Sequence, residues 1–349
     1  MTATIRPTAA PTRPRSTPTL VPLVTRTRAP TITPAPTRVP GAVRCTTDQP
    51  AGTEGPVWDI EVAPDGAVWV VTFHGLARLH PARKEWIAVT VQSESEANTG
   101  EDHEVDQFRS VTAGPGGSVW LASRFGEGVF YWDGELWTQL TSDDGLLSDW
   151  VNEVSLGPDG SVWFATREGV SRWDGAEGTW THYSGPGWLH DDLVHRVLFT
   201  PDGSIWFAHD RALTHWRPTD LDGGADLWEV TSMDGPLAVR KALTSADGRL
   251  WLAQLFYDPG TDEWTDTVYR EIHVQGLAVD GDGGLWIARS DGAIYIPEPA
   301  SSGPRDWFHL GQAQGLGGDN VTAIAVERDD LVWFGTEQGV TRCTIEGLR

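Results

Sequence analysis

The chain has 349 residues, with 39 glycines and 19 tryptophans against two methionines, a profile that favours short strands, tight turns and an aromatic filling over helices. Its formal charge is −23, and because residues 1 to 44 hold seven arginines and no acid, the remainder carries −30. So acidic a body repels phosphate backbones and anionic headgroups, which argues against nucleic acid as a partner and against peripheral docking on a membrane.

Residues 1–41 open the chain as a disordered Pro/Thr-rich linker or stalk. The first 44 positions contain 11 threonines and nine prolines, too little apolar surface to offset the entropy of ordering. Composition suits either an extended stalk or a plain tail. The longest apolar stretch, Leu20-Val21-Pro22-Leu23-Val24, falls short of a signal core or a membrane span, so no direct membrane insertion by this chain is expected. An export signal or anchor, if one exists, is expected upstream of Met1.

The rest, residues 42–349, reads as one repeating body. Asp-Gly-x-aliphatic-Trp recurs at Asp65 to Trp69, Asp159 to Trp163, Asp202 to Trp206, Asp247 to Trp251 and Asp282 to Trp286, with degenerate copies at Gly116 to Trp120 and Asp329 to Trp333. The seven tryptophans are spaced 51, 43, 43, 45, 35 and 47 residues apart, the interval of a four-stranded propeller blade. Each anchor lies on the second strand of a hairpin, turned in the five full copies at Asp-Gly, which is a strong hairpin signal. A third strand follows, and a fourth carries its own tryptophan at Trp86, Trp137, Trp180, Trp228, Trp264 and Trp307. The expected fold is all-β, a seven-bladed β-propeller.

The seventh blade stops after its third strand, Gly339 to Ile345, while Ala42 to Thr47 is strand-like and has no partner nearby. An unpaired edge is a liability, so the N-terminal strand is expected to complete the last blade. Cys45 and Cys343, the two cysteines of the chain, fall on those two strands. A disulfide between them is one reading, with an extracytoplasmic location as its consequence. The other is that both are small buried hydrophobes.

Asp144-Gly145-Leu146-Leu147-Ser148-Asp149-Trp150, Gly157-Pro158-Asp159-Gly160-Ser161-Val162-Trp163-Phe164-Ala165-Thr166 and Gly169-Val170-Ser171-Arg172-Trp173 together resemble the two-component regulator propeller repeat, and Gln314 to Arg342 holds a second good copy. The resemblance extends more weakly over residues 55 to 349. It implies a non-enzymatic extracytoplasmic sensor, at the cell surface, in the periplasm or secreted. Its partner would be a polar small molecule or oligosaccharide, or a protein such as a separate sensor kinase, since no kinase or DNA-binding segment is present. A protein-interaction scaffold is the alternative. The Asp-Gly turns are also similar to those of streptogramin lyases, a less favoured enzymatic reading.

Loops entering each first strand and loops joining second to third strands gather on one face of a propeller. On that rim the candidate ligand-binding residues are His103, Arg124, Trp150, Arg167, Trp188, His190, Asp191, His209, Arg289 and Glu337. Trp150 and Trp188 serve either as apolar platforms or as packing beneath solvated acidic loops. No catalytic residue, metal ligand or cofactor is assigned. Asp280, Asp282 and Gly284 hint at a calcium loop, but Asp291 stands where the twelfth-position Glu belongs, and Asp-Gly turn chemistry accounts for them.

Overall fold

The computed structural model describes residues 19–21, 41–82, 84–92, 104–105, 107–218, 227–232, 242–252, 255–266, 274–299 and 306–348. The fold is all-β, a seven-bladed β-propeller of antiparallel four-stranded sheets. The described residues fall into two compact units, one drawn from 1–24 and 91–242, the other from 25–90 and 243–349.

The first unit holds blades 2, 3 and 4. Blade 2 runs Phe108–Ala113, Val119–Ser123, Val129–Trp132 and Trp137–Leu140; blade 3 runs Val151–Leu156, Val162–Thr166, Val170–Asp174 and Thr179–Tyr183. Blade 4 runs Arg196–Phe199, Ile205–Ala208, Ala212–Arg217 and Leu227–Ser232, and Thr19–Val21 adds a fifth, parallel strand to its last one. Those three residues belong to segment 1–41. They lie in the only aliphatic run of that segment, bounded by Pro18 and Pro22, which cannot donate to a ladder.

The second unit holds blade 1 (Val57–Val62, Val68–Thr72, Leu76–Leu79, Trp86–Val89), blade 5 (Leu243–Thr244, Leu250–Trp251, Leu255–Asp258, Glu263–Asp266) and blade 6 (Gly276–Val279, Leu285–Arg289, Gly292–Ile296, Phe308–Leu310). Blade 7 takes Val321–Arg328, Leu331–Thr336 and Gly339–Ile345 from the C-terminus and Val43–Asp48 from the N-terminal side. The register sets Cys45 directly opposite Cys343, and the two form a disulfide across 298 residues.

All seven anchor tryptophans are buried, and the register explains how each is held. The residue facing it on the third strand is always one that can lie flat on an indole: Arg78, Tyr131, Arg172, His215, Phe256, Tyr295 and Arg342. Tyr131 stacks on Trp120 at 4.2 Å, His215 on Trp206 at 3.7 Å and Phe256 on Trp251 at 4.7 Å, while the Arg172 guanidinium sits 5.8 Å from the Trp163 ring. Several of these residues also bond back to the turn. Arg78 donates to Asp65 at 3.1 Å, Arg172 to Asp159 at 2.8 Å, and the Tyr295 hydroxyl to Asp280 at 2.7 Å.

Asp280 also accepts from the backbone N–H groups of Asp282 and Gly284. Its carboxylate is thereby committed to the turn, in keeping with the turn reading over the calcium one.

Neighbouring first strands are tied by side chain to backbone bonds. Thr112 Oγ1 donates to the Val154 carbonyl at 2.6 Å and Ser155 Oγ to that of Val197 at 2.9 Å; in the second unit Thr322 Oγ1 donates to Val57 at 2.5 Å. Hydroxyls at these positions satisfy carbonyls that face another sheet rather than a ladder partner.

Candidate functional site: a rim of the first unit

The loops at one end of blades 2, 3 and 4 are built largely by their own acids. In the turn before blade 3, Asp144 accepts from the Thr141 N–H at 3.0 Å, and Asp149 accepts from the Ser142 N–H at 2.6 Å and hydroxyl at 3.1 Å. Before blade 4, Asp192 takes the Gly185 N–H at 2.5 Å and Asp191 the Leu193 N–H at 2.9 Å. These are Asx-type bonds that let a short side chain replace a missing backbone acceptor. Gly145 completes the blade 3 turn at φ 115°, a left-handed value, with the Trp180 indole only 2.6 Å from where a Cβ would stand. Only glycine suits both conditions.

The turn leaves Trp150 at the surface, 38% exposed, beside Gly126. The Arg167 guanidinium lies 3.9 Å from the centre of its ring, and the Arg167 N–H donates to the Trp150 carbonyl at 3.1 Å. One blade over, Phe125 is 55% exposed, with the Arg124 guanidinium 5.8 Å from its ring. Two aromatic–arginine pairs thus occupy adjacent loops of one unit.

Trp188 and His209 do not join them. Trp188 is 9% exposed and packs edge-on against Trp228 at 5.2 Å and Tyr183 at 5.5 Å, which makes it core rather than platform. His209 is 1% exposed. Its Nδ1 bonds the Leu193 carbonyl at 3.3 Å and its Nε2 pairs with the Thr214 hydroxyl at 2.9 Å. The His190 N–H donates to that same hydroxyl oxygen; because Nδ1 can only donate to the Leu193 carbonyl, the neutral ring accepts from Thr214 at Nε2. Burial accordingly holds the His209 pKa down, to about 4.

His190 and Asp191 are exposed at this end, the His190 ring 6.0 Å from that of His209. His103 lies outside the described residues. Arg289 and Glu337 belong to the second unit, where Arg289 is paired with Asp291 at 2.5 Å and Glu337 is exposed. A pair that sequence reasoning did not single out is buried His195 with exposed Asp210, Nε2 to Oδ1 at 2.6 Å. The two are 15 residues apart, and no short motif marks them. A carboxylate-oriented imidazole is a unit of general acid–base chemistry. Here, though, the imidazole is almost wholly covered. Among the described residues no three His, Cys, Asp or Glu side chains are grouped to hold a metal ion.

The blades and the rim thus define a seven-bladed β-propeller with an aromatic–arginine end on its first unit. No protein-family model matches the sequence, and no curated protein matches it. Among solved structures, the extracellular domain of a hybrid two-component system from B. thetaiotaomicron superposes with a TM-score of 0.65 at 16% identity, over 83% of this chain and 40% of that one. The chain therefore spans well under half of that neighbour. An inactive virginiamycin B lyase from Staphylococcus aureus, with quinupristin, gives 0.64 at 12% identity over 86% and 99% of the two chains. YCF48 bound to D1 peptide gives 0.63 at 16% identity over 89% and 99%. At these identities the likeness is one of fold.

Proposed function

We propose that this chain is a non-enzymatic, extracytoplasmic ligand-sensing or binding propeller, formed by residues 42–349 and presented on the Pro/Thr-rich segment 1–41. The observation that carries the reading is the Trp150–Arg167 stack beside exposed Phe125. An aromatic face offers apolar contact and an adjoining guanidinium orients polar groups, the composition of a site for a polar small molecule or oligosaccharide. The Cys45–Cys343 disulfide suits an oxidising compartment, and the extracellular domain of a hybrid two-component system shares the fold. A sensor kinase is a partner that would suit such a propeller. The peptide held by one neighbour of the same fold makes a partner protein the second reading, and Phe125, as the most exposed aromatic of the rim, favours it.

The test is calorimetric titration of the full chain with neutral and acidic oligosaccharides and with short aromatic peptides, alongside Trp150→Ala. Binding by one class that weakens at least about tenfold in the variant supports the reading, a loss in the range expected for one aromatic contact. Equal binding by the variant, or none by the native chain, refutes it.

A further inference from the structure

Among the described residues most arginines have acids for partners, as 49 acids against 26 basic residues would lead one to expect. Arg78, Arg172, Arg196, Arg249, Arg289 and Arg328 all form ion pairs with Asp or Glu. Arg167 does not. Among the described residues its guanidinium contacts the Trp150 ring and no carboxylate.

Arg342, over the Trp333 ring, likewise has no carboxylate partner among the described residues, but Arg167 is exposed and lacks one with acids close by in its loops. Glu168 adjoins Arg167 in sequence, yet its carboxylate takes the Ser148 hydroxyl at 3.3 Å. Asp149, next to Trp150, is bonded to Ser142 through both oxygens. In the equivalent loop of blade 2, Glu127 accepts from Ser123 Oγ at 3.1 Å. In that of blade 4, Asp210 pairs with His195 and leaves the exposed Arg211 beside it without a carboxylate partner. The local acids are drawn off by hydroxyls, backbone N–H groups and an imidazole.

Stacking engages the flat face of a guanidinium and leaves its in-plane N–H donors directed outward, the fork that fits a carboxylate through two parallel hydrogen bonds. Holding the long side chain against an indole also removes rotamer freedom that binding would otherwise have to remove. We infer that the ligand of this rim carries a carboxylate, received by the Arg167 guanidinium while Trp150 holds that guanidinium in place. The inference rests on the ligand-binding reading above and adds the charge of the ligand to it.

The experiment compares matched probes that differ in the carboxylate: trigalacturonate against its fully methyl-esterified trimer, and N-acetylated, C-amidated Gly-Trp-Glu-Gly-Trp against the equally capped Gly-Trp-Gln-Gly-Trp. Each is titrated into the full chain, into Arg167→Gln and into Trp150→Ala. The acidic member of at least one pair should bind about tenfold or more tightly than its neutral twin, as for a charge-assisted pair. Arg167→Gln should abolish that preference, and raising ionic strength from about 0.05 to about 0.5 M should shrink it, because the site is exposed. Equal binding of the two members, or a preference that survives Arg167→Gln, overturns the carboxylate assignment; if Trp150→Ala still weakens both, the ligand-binding reading stands without it. No binding by any of the four probes overturns both.

Discussion

Opening the Cys45–Cys343 bond tests how the last blade is fastened. The bridge closes 298 residues, nearly the whole folded body, and a chain-entropy treatment of so long a loop gives about 5 to 6 kcal/mol, of which about 2 to 5 is usually realised. Without it, the outer strand Val43–Asp48 keeps its ladder to Gly339–Ile345, the Thr47–Thr341 hydroxyl bond at 2.9 Å and the Trp86 Nε1 bond to Asp48 at 3.1 Å. The native fold should therefore persist but melt earlier. At about 2.1 cal/mol/K per residue, a body of some 300 residues has an unfolding entropy near 0.6 kcal/mol/K, so about 2 to 5 kcal/mol corresponds to a fall in Tm of roughly 3 to 8 °C.

The assay is scanning calorimetry of the oxidised chain, the chain reduced by a phosphine, and Cys45→Ser. Serine replaces the half-exposed partner and spares Cys343, which is fully buried among core residues. Hydrogen exchange on Gly339–Ile345 reports the seam locally, and its amides should lose protection before those of blade 3. A Tm change under about 1 °C on reduction, with the bond shown to be open, would refute the reasoning. It would mean that the strand ladder alone fixes the seam and that the unfolded chain gains little freedom.

Two other outcomes follow from the rim. His209 is held neutral by burial, with a folded pKa of about 4 against 6.5 unfolded, so its contribution is present in full above pH 6.5 and is lost as pH falls to 4, roughly 3 kcal/mol in all. Urea unfolding at pH 7, 5.5 and 4 should show that loss in the native chain and less of it in His209→Gln; identical slopes would remove His209 as its source. Gly145→Ala puts a Cβ into the Trp180 indole at a left-handed φ and should cost about 1 to 3 kcal/mol in urea unfolding. An unchanged midpoint would show that the loop has another conformation open to it.

The blades were legible because a propeller repeats its own solution. Trp163 and its six counterparts mark second strands at regular spacing, and the expected strand Gly339 to Ile345 matches the observed one to the residue. The pairing of Cys45 with Cys343 followed from an unfinished blade and an orphan strand. The partners on the third strand were less visible, since Arg78, Tyr131, His215 and Phe256 share no chemical class. What they share is a flat group, a property of shape that composition hides.

The rim was read less well, and the reason is physical. Trp150 and Trp188 both stand in loops entering a first strand, yet one is exposed and the other lies among Tyr183, Trp228 and Phe207. Loop length and the path after Gly185 decide that difference, and neither is a pattern of residue types. The acids misled in the opposite direction. Asp191 stands among the candidate ligand contacts, yet it and Asp144, Asp149 and Asp192 bond loop N–H groups, and Asp149 a serine hydroxyl as well. A loop that must turn without a ladder needs acceptors, and in this protein it takes them from aspartate. That same demand draws the carboxylates away from the arginines beside them, so among the described residues the structural work of the acids leaves Arg167 and Arg211 without a carboxylate partner on an acidic body.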